Sequence, residues 1–346
     1  MNFNTKLINW YSINKRVLPW RKTRNPYYIW LSEIILQQTQ VKQGLPYYDA
    51  FVTQYPTIFD LAEASETSIL KLWQGLGYYS RARNLHATAK HIVKEFNGVF
   101  PDNYKDLLKL KGVGDYTASA IASIAFNEVA AVVDGNVYRV LSRYFGIDTP
   151  INSTLGIKEF KLLASTLIDR NQPATYNQAI MEFGAIQCKP KNPDCSVCPL
   201  QTSCVALKDQ TVEVLPVKLK KTKVTVKYFN FLVFMDQHKK TLFEKRTKKG
   251  IWQHLYQFPL LESKKSLTSE EFHLLNFEDF SLKFEHLDYS LYNEADIVHK
   301  LSHQHLHTKF WIIDVEALPE EAISIKSLTK YPSPVLISEF IDNFSF

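Results

Sequence analysis

From Met1 to about Lys208 the apolar positions recur mostly at three- and four-residue spacing, the period of helices that each turn one face inward. Pro26, Pro46, Pro56, Gly98, Pro101 and Pro173 punctuate this pattern and predict a set of short helices with breaks at those residues. Between Lys208 and Tyr228 the pattern lapses into a segment with Pro216, Lys218, Lys220, Lys221 and Lys223, the composition of an exposed basic connector. The period then changes. Tyr228 to Met235, Lys240 to Arg246, Gln257 to Leu261 and Phe310 to Val315 are short runs rich in aromatic and β-branched residues, which predicts strands. The expected organisation is a mainly α protein with a helical domain over residues 1–208, a basic linker over 209–227 and a mixed α+β domain over 228–346. The sequence shows no internal repeat and no low-complexity tract.

Composition narrows the class of partner only a little. At 346 residues the chain exceeds the usual single domain, and each half is long enough to bury a core. A net charge of +6 suits a polyanionic partner, although a soluble surface with this balance is equally ordinary. Met1 to Lys15 has no uninterrupted apolar core of a signal peptide, and no later apolar run approaches the length of a bilayer span. A cytosolic or nucleoid-associated protein is expected.

The chemistry begins with cysteine. The chain has only four, all within Cys188-x6-Cys195-x2-Cys198-x5-Cys204. Disulfides are disfavoured in a reducing compartment, and core cysteines would be scattered instead of collected, so one shared metal centre is expected. Zinc sites usually join two paired-cysteine knuckles, and only Cys195 and Cys198 form such a pair. A four-iron, four-sulfur cluster accepts wider, uneven loops and is favoured, with zinc left open by spacing alone.

Three further segments carry candidate chemistry. Leu110-Lys111-Gly112-Val113-Gly114-Asp115-Tyr116-Thr117-Ala118 sets two glycines in a tight turn before a helical run of small residues. Its backbone N–H groups and positive helix end could hold a DNA phosphate without reading a base; an ordinary interhelical turn is the alternative. Glu33, in Tyr28-Ile29-Trp30-Leu31-Ser32-Glu33-Ile34-Ile35-Leu36, is flanked by bulky apolar residues. Desolvation there would raise its pKa and keep a proton available near neutrality, as a general acid needs, whereas a solvent-facing glutamate on an amphipathic helix is the plain reading. Asp134 follows an apolar run and precedes a helix, so a helix cap explains it simply. The functional alternative is an anion facing a developing sugar cation, because hydrolysis of a glycosidic bond typically uses two carboxyl groups in these two roles.

These segments, together with Gln37-Gln38-Thr39-Gln40-Val41 and Gly75-Leu76-Gly77-Tyr78-Tyr79-Ser80-Arg81-Ala82-Arg83-Asn84-Leu85, occur in one order that resembles the adenine DNA glycosylase family called MutY, of the endonuclease III superfamily of helix-hairpin-helix repair enzymes. The resemblance covers essentially all of the first 208 residues and implies a six-helix barrel beside an iron-sulfur module, binding one 4Fe-4S cluster through Cys188, Cys195, Cys198 and Cys204. It also implies double-stranded DNA with an adenine mispaired with 8-oxoguanine as the partner of a monomeric enzyme, the adenine being extruded into a pocket. On this sequence Glu33 would protonate adenine and Asp134 would stabilise the sugar cation, with Asn136 and Tyr116 orienting them. Trp20, Arg21 and Gln178 would line the adenine pocket. Gln38 and Tyr78 would enter the base stack, Thr39 would lie near the opposite guanine, and Gly112 and Gly114 would meet the backbone. Arg81, Arg83 and Lys111 are expected to add phosphate contacts. Relatives that attack oxidised pyrimidines and cut the strand carry a lysine where this chain has Tyr116, which implies a monofunctional glycosylase.

The second half resembles the same family's C-terminal domain more loosely. Lys245-Arg246 through Gly250-Ile251-Trp252 to Gln257-Phe258-Pro259 looks like its Nudix-related fold, but no Arg-Glu-x-x-Glu-Glu metal helix stands between Pro259 and Glu285, so nucleotide hydrolysis is not expected. Leu301-Ser302-His303 stands where the family carries Phe-Ser-His, which implies contacts from Ser302 and His303 to the 8-oxoguanine. A noncatalytic iron-sulfur DNA-binding protein and a bifunctional pyrimidine-lesion glycosylase are the competing readings. Retention of both carboxyl groups opposes the first, and Tyr116 with the added C-terminal domain opposes the second.

Overall fold

A computed structural model of the chain describes residues 2–219, 224–274 and 288–346. Lys220, Lys221 and Lys223 of the basic connector, and residues 275–285 of the stretch from Pro259 to Glu285, lie outside the described residues. Two compact units emerge: residues 1–64 with 83–220, and residues 65–82 with 221–346.

In the first unit, α1 (Phe3–Asn14), α2 (Pro26–Leu36), α3 (Val41–Gln54) and α4 (Ile58–Glu63) come first. The next helix, α5 (Glu66–Leu72), belongs to the second unit, and α6 (Ser80–Phe96) starts there and returns the chain to the first. It continues through α7 (Tyr104–Leu107), α8 (Asp115–Phe126), α9 (Gly135–Phe145), α10 (Thr154–Leu167), α11 (Pro173–Ile186) and the short α12 (Val205–Lys208). Local chemistry sets the ends. Asn25 caps α2 by accepting from the Tyr27 amide, with Pro26 preset for the first turn, and α9 ends on Gly146 at φ +69°. Pro46 does not break the chain as expected: it sits inside α3, where the missing N–H removes one intrahelical bond without stopping the helix.

Helix α2 is the buried axis of this unit. Tyr27 and every residue from Ile29 to Ile35 are buried, so the helix is apolar nearly all round, the mark of an element enclosed by others. It packs on α8, where Ala118, Ser119, Ala120, Ala122 and Ser123 are small enough to let the helices come close. The connector after α12 is not wholly exposed. Leu215 is buried, its carbonyl accepts from Arg143 Nε at 3.0 Å, and Ile151 N donates to Val217 O at 3.0 Å.

The second unit is built on a sheet. The strands in chain order are β1 (Thr225–Asp236), β2 (Lys240–Thr241), β3 (Glu244–Lys245), β4 (Tyr256–Gln257), β5 (Leu260–Ser263), β6 (Asp288–Leu291), β7 (Ile297–Lys300), β8 (Gln304–Val315) and β9 (Ile323–Ser324), with helices α13 (Ser269–His273) and α14 (Val335–Asn343). β1 and β8 pair in parallel over twelve residues, β5 flanks β1, and β6 and β7 both pair antiparallel with β8. The register puts Leu232 opposite Trp311 and Phe234 opposite Ile313 on one face, where Phe272 of α13 stacks on Trp311 with centroids 3.8 Å apart. On the other face Phe231 lies opposite Phe310, which stacks on Phe340 of α14 at 4.1 Å. β8 starts six residues before the apolar run that predicted it, because its first half alternates buried Leu306 and Thr308 with polar residues. Among the described residues no helix is long and apolar enough to cross a membrane.

Phe272→Ala removes a fully buried ring from the Trp311 stack, and a loss of about 3–5 kcal/mol is expected. Urea unfolding followed by tryptophan fluorescence checks this; an unchanged midpoint would mean that α13 does not close this core.

Candidate active site

One open cavity of about 170 Å³ in the helical unit brings together Trp20, Arg21, Glu33, Thr39, Tyr116, Asp134, Asn136 and Gln178. Glu33 reaches it from the third turn of α2, where only 8% of the residue is exposed. Burial pushes its carboxyl up to about 7. Hydrogen bonding by Tyr116 opposes the rise, nearby Asp134 adds to it, and the charge of Arg21 opposes it last and least. The Tyr116 hydroxyl also lies 3.3 Å from Met181 Sδ, and burial raises this phenol well above its ordinary range, so it stays neutral.

Asp134 is the N-cap of α9. Its Oδ1 accepts from the Asn136 amide at 2.9 Å and the Val137 amide at 2.8 Å, while Oδ2 accepts from Asn136 Nδ2 at 2.7 Å. Burial raises its pKa, and these three hydrogen bonds and the Arg139 charge oppose the rise. The plain reading of Asp134 as a cap and the functional one are therefore compatible: the cap fixes a carboxylate at the pocket wall. The pocket thus holds one carboxyl tuned to keep a proton near neutrality and another supplied with donors that favour its anion.

Glu182 and Arg16, which the sequence did not single out, complete this wall beside Gln178, which it did. Glu182, 1% exposed on α11, accepts from Arg16 Nη2 at 2.6 Å and Arg21 Nη2 at 2.8 Å. Burial alone would raise it, but the two guanidiniums and the Arg16 amide hold it down to about 2. Gln178, one turn earlier, accepts from the buried Tyr11 hydroxyl at 2.6 Å. The signal was the four-residue spacing of Gln178 and Glu182, which puts both on one face of α11. Trp20 is held edge-on against Tyr48 at 5.0 Å.

The hairpin glycines stand between α7 and α8, with Gly112 at φ +79° and Gly114 at the N-terminus of α8, both exposed. A Cβ on Gly112 would meet Asn84 Cβ at 2.8 Å, so both backbone and space require glycine there. Gln38 is exposed at φ +54° between α2 and α3, Lys111 is exposed, and Arg83 is half-buried. Arg81 corrects the expectation of a phosphate contact. It is 7% exposed, and its Nη2 donates to the carbonyls of Leu76 and Gly77, each at 3.2 Å, so its charge is spent inside the protein. In the second unit Tyr78 is 52% exposed at φ +47°. There, too, Ser302 and His303 lie exposed in the loop from β7 to β8, with Leu301 N donating to Gln304 O at 2.8 Å across its base.

The four cysteines line one small cavity of about 30 Å³ in the helical unit. Burial pushes the Cys198 thiol up to about 11 and raises Cys195 and Cys204. A cationic centre is what would hold such thiols as thiolates, so the donor set fits a thiolate-bound metal group. Among the described residues no set of three His, Cys, Asp or Glu side chains is poised to hold a single metal ion. Buried Arg143 braces the loop, its Nη1 donating to Cys188 Sγ at 3.4 Å and to Lys189 O at 2.7 Å. One turn earlier on α9, Arg139 donates through Nε to Cys188 O at 2.7 Å and through Nη2 to Asn136 Oδ1 at 2.8 Å, linking the cysteine loop to the Asp134 cap.

The model of the HhH-GPD superfamily of base excision DNA repair proteins matches residues 31–161, and the NUDIX domain model matches residues 230–343. The adenine DNA glycosylase of Buchnera aphidicola subsp. Schizaphis graminum is 39% identical over 263 residues, 76% of each chain. The human adenine DNA glycosylase is 45% identical over 213 residues, 59% of this chain and 39% of that protein. Among solved structures, a thermostable thymine-DNA glycosylase superposes with a TM-score of 0.56 at 33% identity, over 60% of this chain and 95% of its own. A trapped endonuclease III–DNA covalent intermediate, at 22% identity and a TM-score of 0.53 over 60% of this chain and 94% of its own, shares the fold. The chain belongs to the adenine DNA glycosylase (MutY) family and is a base excision repair glycosylase that acts on DNA.

Proposed function

We propose that the protein hydrolyses the N-glycosidic bond of adenine mispaired with 8-oxoguanine or guanine in duplex DNA, acting as a monomer and leaving an abasic site. The observation that carries this reading is the pairing of Glu33, pushed up to about 7, with the capped Asp134 in one cavity. Extruded adenine leaves as a neutral base only if it gains a proton, and Glu33 is the group that holds one at neutral pH. As the bond breaks, charge develops on the sugar, and Asp134 faces it with an anion already oriented by the cap. Asn136 holds the second Asp134 oxygen, Tyr116 holds the Glu33 carboxyl, and Trp20, Arg21 and Gln178 bound the space for the base.

Strand cleavage through a Schiff base needs an amine at the sugar. Among the described residues lining the cavity there is no lysine, and Tyr116 is a neutral phenol, which favours the monofunctional reaction. Gln38 and Tyr78, both exposed on strained backbone, suit insertion beside the vacated site, and the hairpin at Gly112 and Gly114 suits a phosphate. Ser302 and His303 supply polar contacts for the 8-oxoguanine. Cys188, Cys195, Cys198 and Cys204 would hold one 4Fe-4S cluster, whose body is wider than a single ion, and its part is structural: to set the loop that Arg139 and Arg143 brace.

Single-turnover base release from duplexes carrying adenine opposite 8-oxoguanine, adenine opposite thymine, or an oxidised pyrimidine tests the reading. Release confined to the mispair, with scission only after alkali, is expected; direct scission at a pyrimidine would overturn it, and no release from any duplex would favour a binding-only protein. The kcat/KM profile should fall about tenfold per pH unit above about 7, as Glu33 loses its proton. Glu33→Gln should abolish release while retaining DNA binding. The same change should stabilise the fold. Glu33 binds its proton more tightly folded than unfolded, so stability falls as pH rises from about 4.5 through about 7, and glutamine removes up to about 3 kcal/mol of that loss above pH 7. A melting temperature for Glu33→Gln below that of the parent at pH 8 would contradict a buried, strained acid. Cys198→Ser should lower iron content and DNA affinity before it changes the release step; normal affinity in a folded, iron-free variant would remove the structural role.

A further inference from the structure

Tyr78 is an exposed ring on a backbone held in the left-handed region, where a large side chain stays only if its surroundings impose it. Those surroundings are specific. Trp73 Nε1 donates to Gly77 O at 3.1 Å, Arg81 Nη2 donates to Leu76 O and Gly77 O, and the Arg81 guanidinium lies over both the Trp73 ring, at 5.0 Å, and the Tyr78 ring, at 5.7 Å. The turn is thus a braced mount for one aromatic.

The mount is seated on the C-terminal unit, although sequence of the helical unit flanks it on both sides. Gln74, four residues before Tyr78, donates through Nε2 to Ser338 Oγ of α14 at 3.0 Å, and its Oε1 accepts from Lys71 Nζ at 2.9 Å and from the Ser333 amide at 3.4 Å. Lys71 Nζ also reaches Tyr331 O at 3.5 Å. At the start of α5, Glu66 accepts from Lys245 Nζ at 3.2 Å and lies 2.8 Å from His254 Nδ1. Of these anchors, Gln74 is nearest in sequence to the turn, and it fastens both the helix α14 and the segment that leads into it.

We propose that Gln74 is a positioning residue that ties the setting of Tyr78 to the C-terminal unit, so that the unit carrying Ser302 and His303 also sets the aromatic that enters the base stack and thereby contributes to the choice of opposite base. This rests on the proposed insertion of Tyr78 beside the mispair. The physical argument is one of pre-organisation: an inserting ring discriminates between base steps only when its approach is fixed, and a seat made of side-chain hydrogen bonds is fixed relative to the sheet unit.

The test uses full-length, iron-replete protein. Binding is measured in a Glu33→Gln background on duplexes with adenine opposite 8-oxoguanine or opposite guanine, each with 2-aminopurine next to the opposite base to report unstacking. Single-turnover release is measured in the parent background. Gln74→Ala should reduce the ratio of the two affinities about fivefold, the size of one coupled contact, and weaken the fluorescence rise, while the saturating release rate at the 8-oxoguanine mispair changes by less than about twofold. Ser338→Ala, which removes a single hydroxyl from a half-buried position, should act in the same direction and guards against a folding defect in the Gln74 variant. Tyr78→Ala should lose at least as much discrimination, and the Gln74→Ala/Tyr78→Ala double variant should be no worse than Tyr78→Ala alone. Additive losses, or full discrimination in Gln74→Ala and Ser338→Ala while Tyr78→Ala is impaired, would overturn the seat and leave the tyrosine's role standing. Unchanged discrimination and fluorescence in Tyr78→Ala would instead overturn the insertion reading, and the seat with it.

Discussion

The helical unit depends on how closely α9 and α11 approach. A Cβ on Gly184 would come within 2.6 Å of Asn136 Cβ and 2.8 Å of its carbonyl oxygen, so the first turn of α9 lies against bare backbone of α11. Any larger residue would push that turn away, because the atoms it meets belong largely to the main chain and cannot swing aside. The approach lets Arg139 Nη2 donate to Gly184 O at 2.6 Å while the same nitrogen reaches Asn136 Oδ1. One glycine thereby fixes the residue that holds Asp134, and one arginine then carries that geometry to Cys188. The cysteine loop and the capped Asp134 carboxylate are joined through the length of a single helix, with no need for a moving part.

The electrostatics of the cavity follow from the same economy. Two arginines line the cavity that holds Glu33, and an arginine facing the carboxyl freely would favour its anion and take away the acid. Instead Arg16 and Arg21 are satisfied by Glu182, a carboxylate with almost no exposure. What remains of the Arg21 charge at Glu33 is the smallest of the influences on it, and burial prevails. Glu182 is thus a counterion whose burial has a chemical consequence: it lets a basic wall bound the cavity without ionising the acid.

How far the sequence made this legible differs from element to element. Apolar spacing showed helices in the first half and strands in the second, because both periods are local properties of the chain. The burial of Glu33 was one of two readings, the plainer being a solvent-facing glutamate, and it prevails because Ile29, Trp30, Leu31, Ile34 and Ile35 leave α2 no polar face to turn to water. What escaped was whatever depended on folded geometry, near or distant in sequence, and not on the local pattern. Pro46 looks like a break and is absorbed within α3, and the polar first half of β8 looks like surface until β1 pairs with it along its whole length. Arg81 looks like a phosphate ligand in a basic run, yet its guanidinium is consumed by two carbonyls only four and five residues away. Arg16 and Glu182 are 166 residues apart, and nothing local marks either as half of a pair.

The assignment of residues 65–82 to the sheet unit shows why sequence order is a poor guide to which parts act together. The helical period persists, punctuated by prolines and glycines, from residue 1 to about 208, so nothing in the periodicity separates α5 from its neighbours. The separation comes from side chains instead. Lys71 and Gln74 turn their polar ends to Tyr331, Ser333 and Ser338, and Glu66 turns to Lys245 and His254, groups supplied more than 170 residues later. Individually such half-exposed contacts contribute little, about 1 kcal/mol or less each. Together they fix orientation, which weak but directional bonds do better than apolar contact, since a hydrogen bond is lost with an error of about half an ångström that a greasy interface would tolerate. If Tyr78 enters the base stack as proposed, directional contacts of modest strength are the more useful kind for holding it.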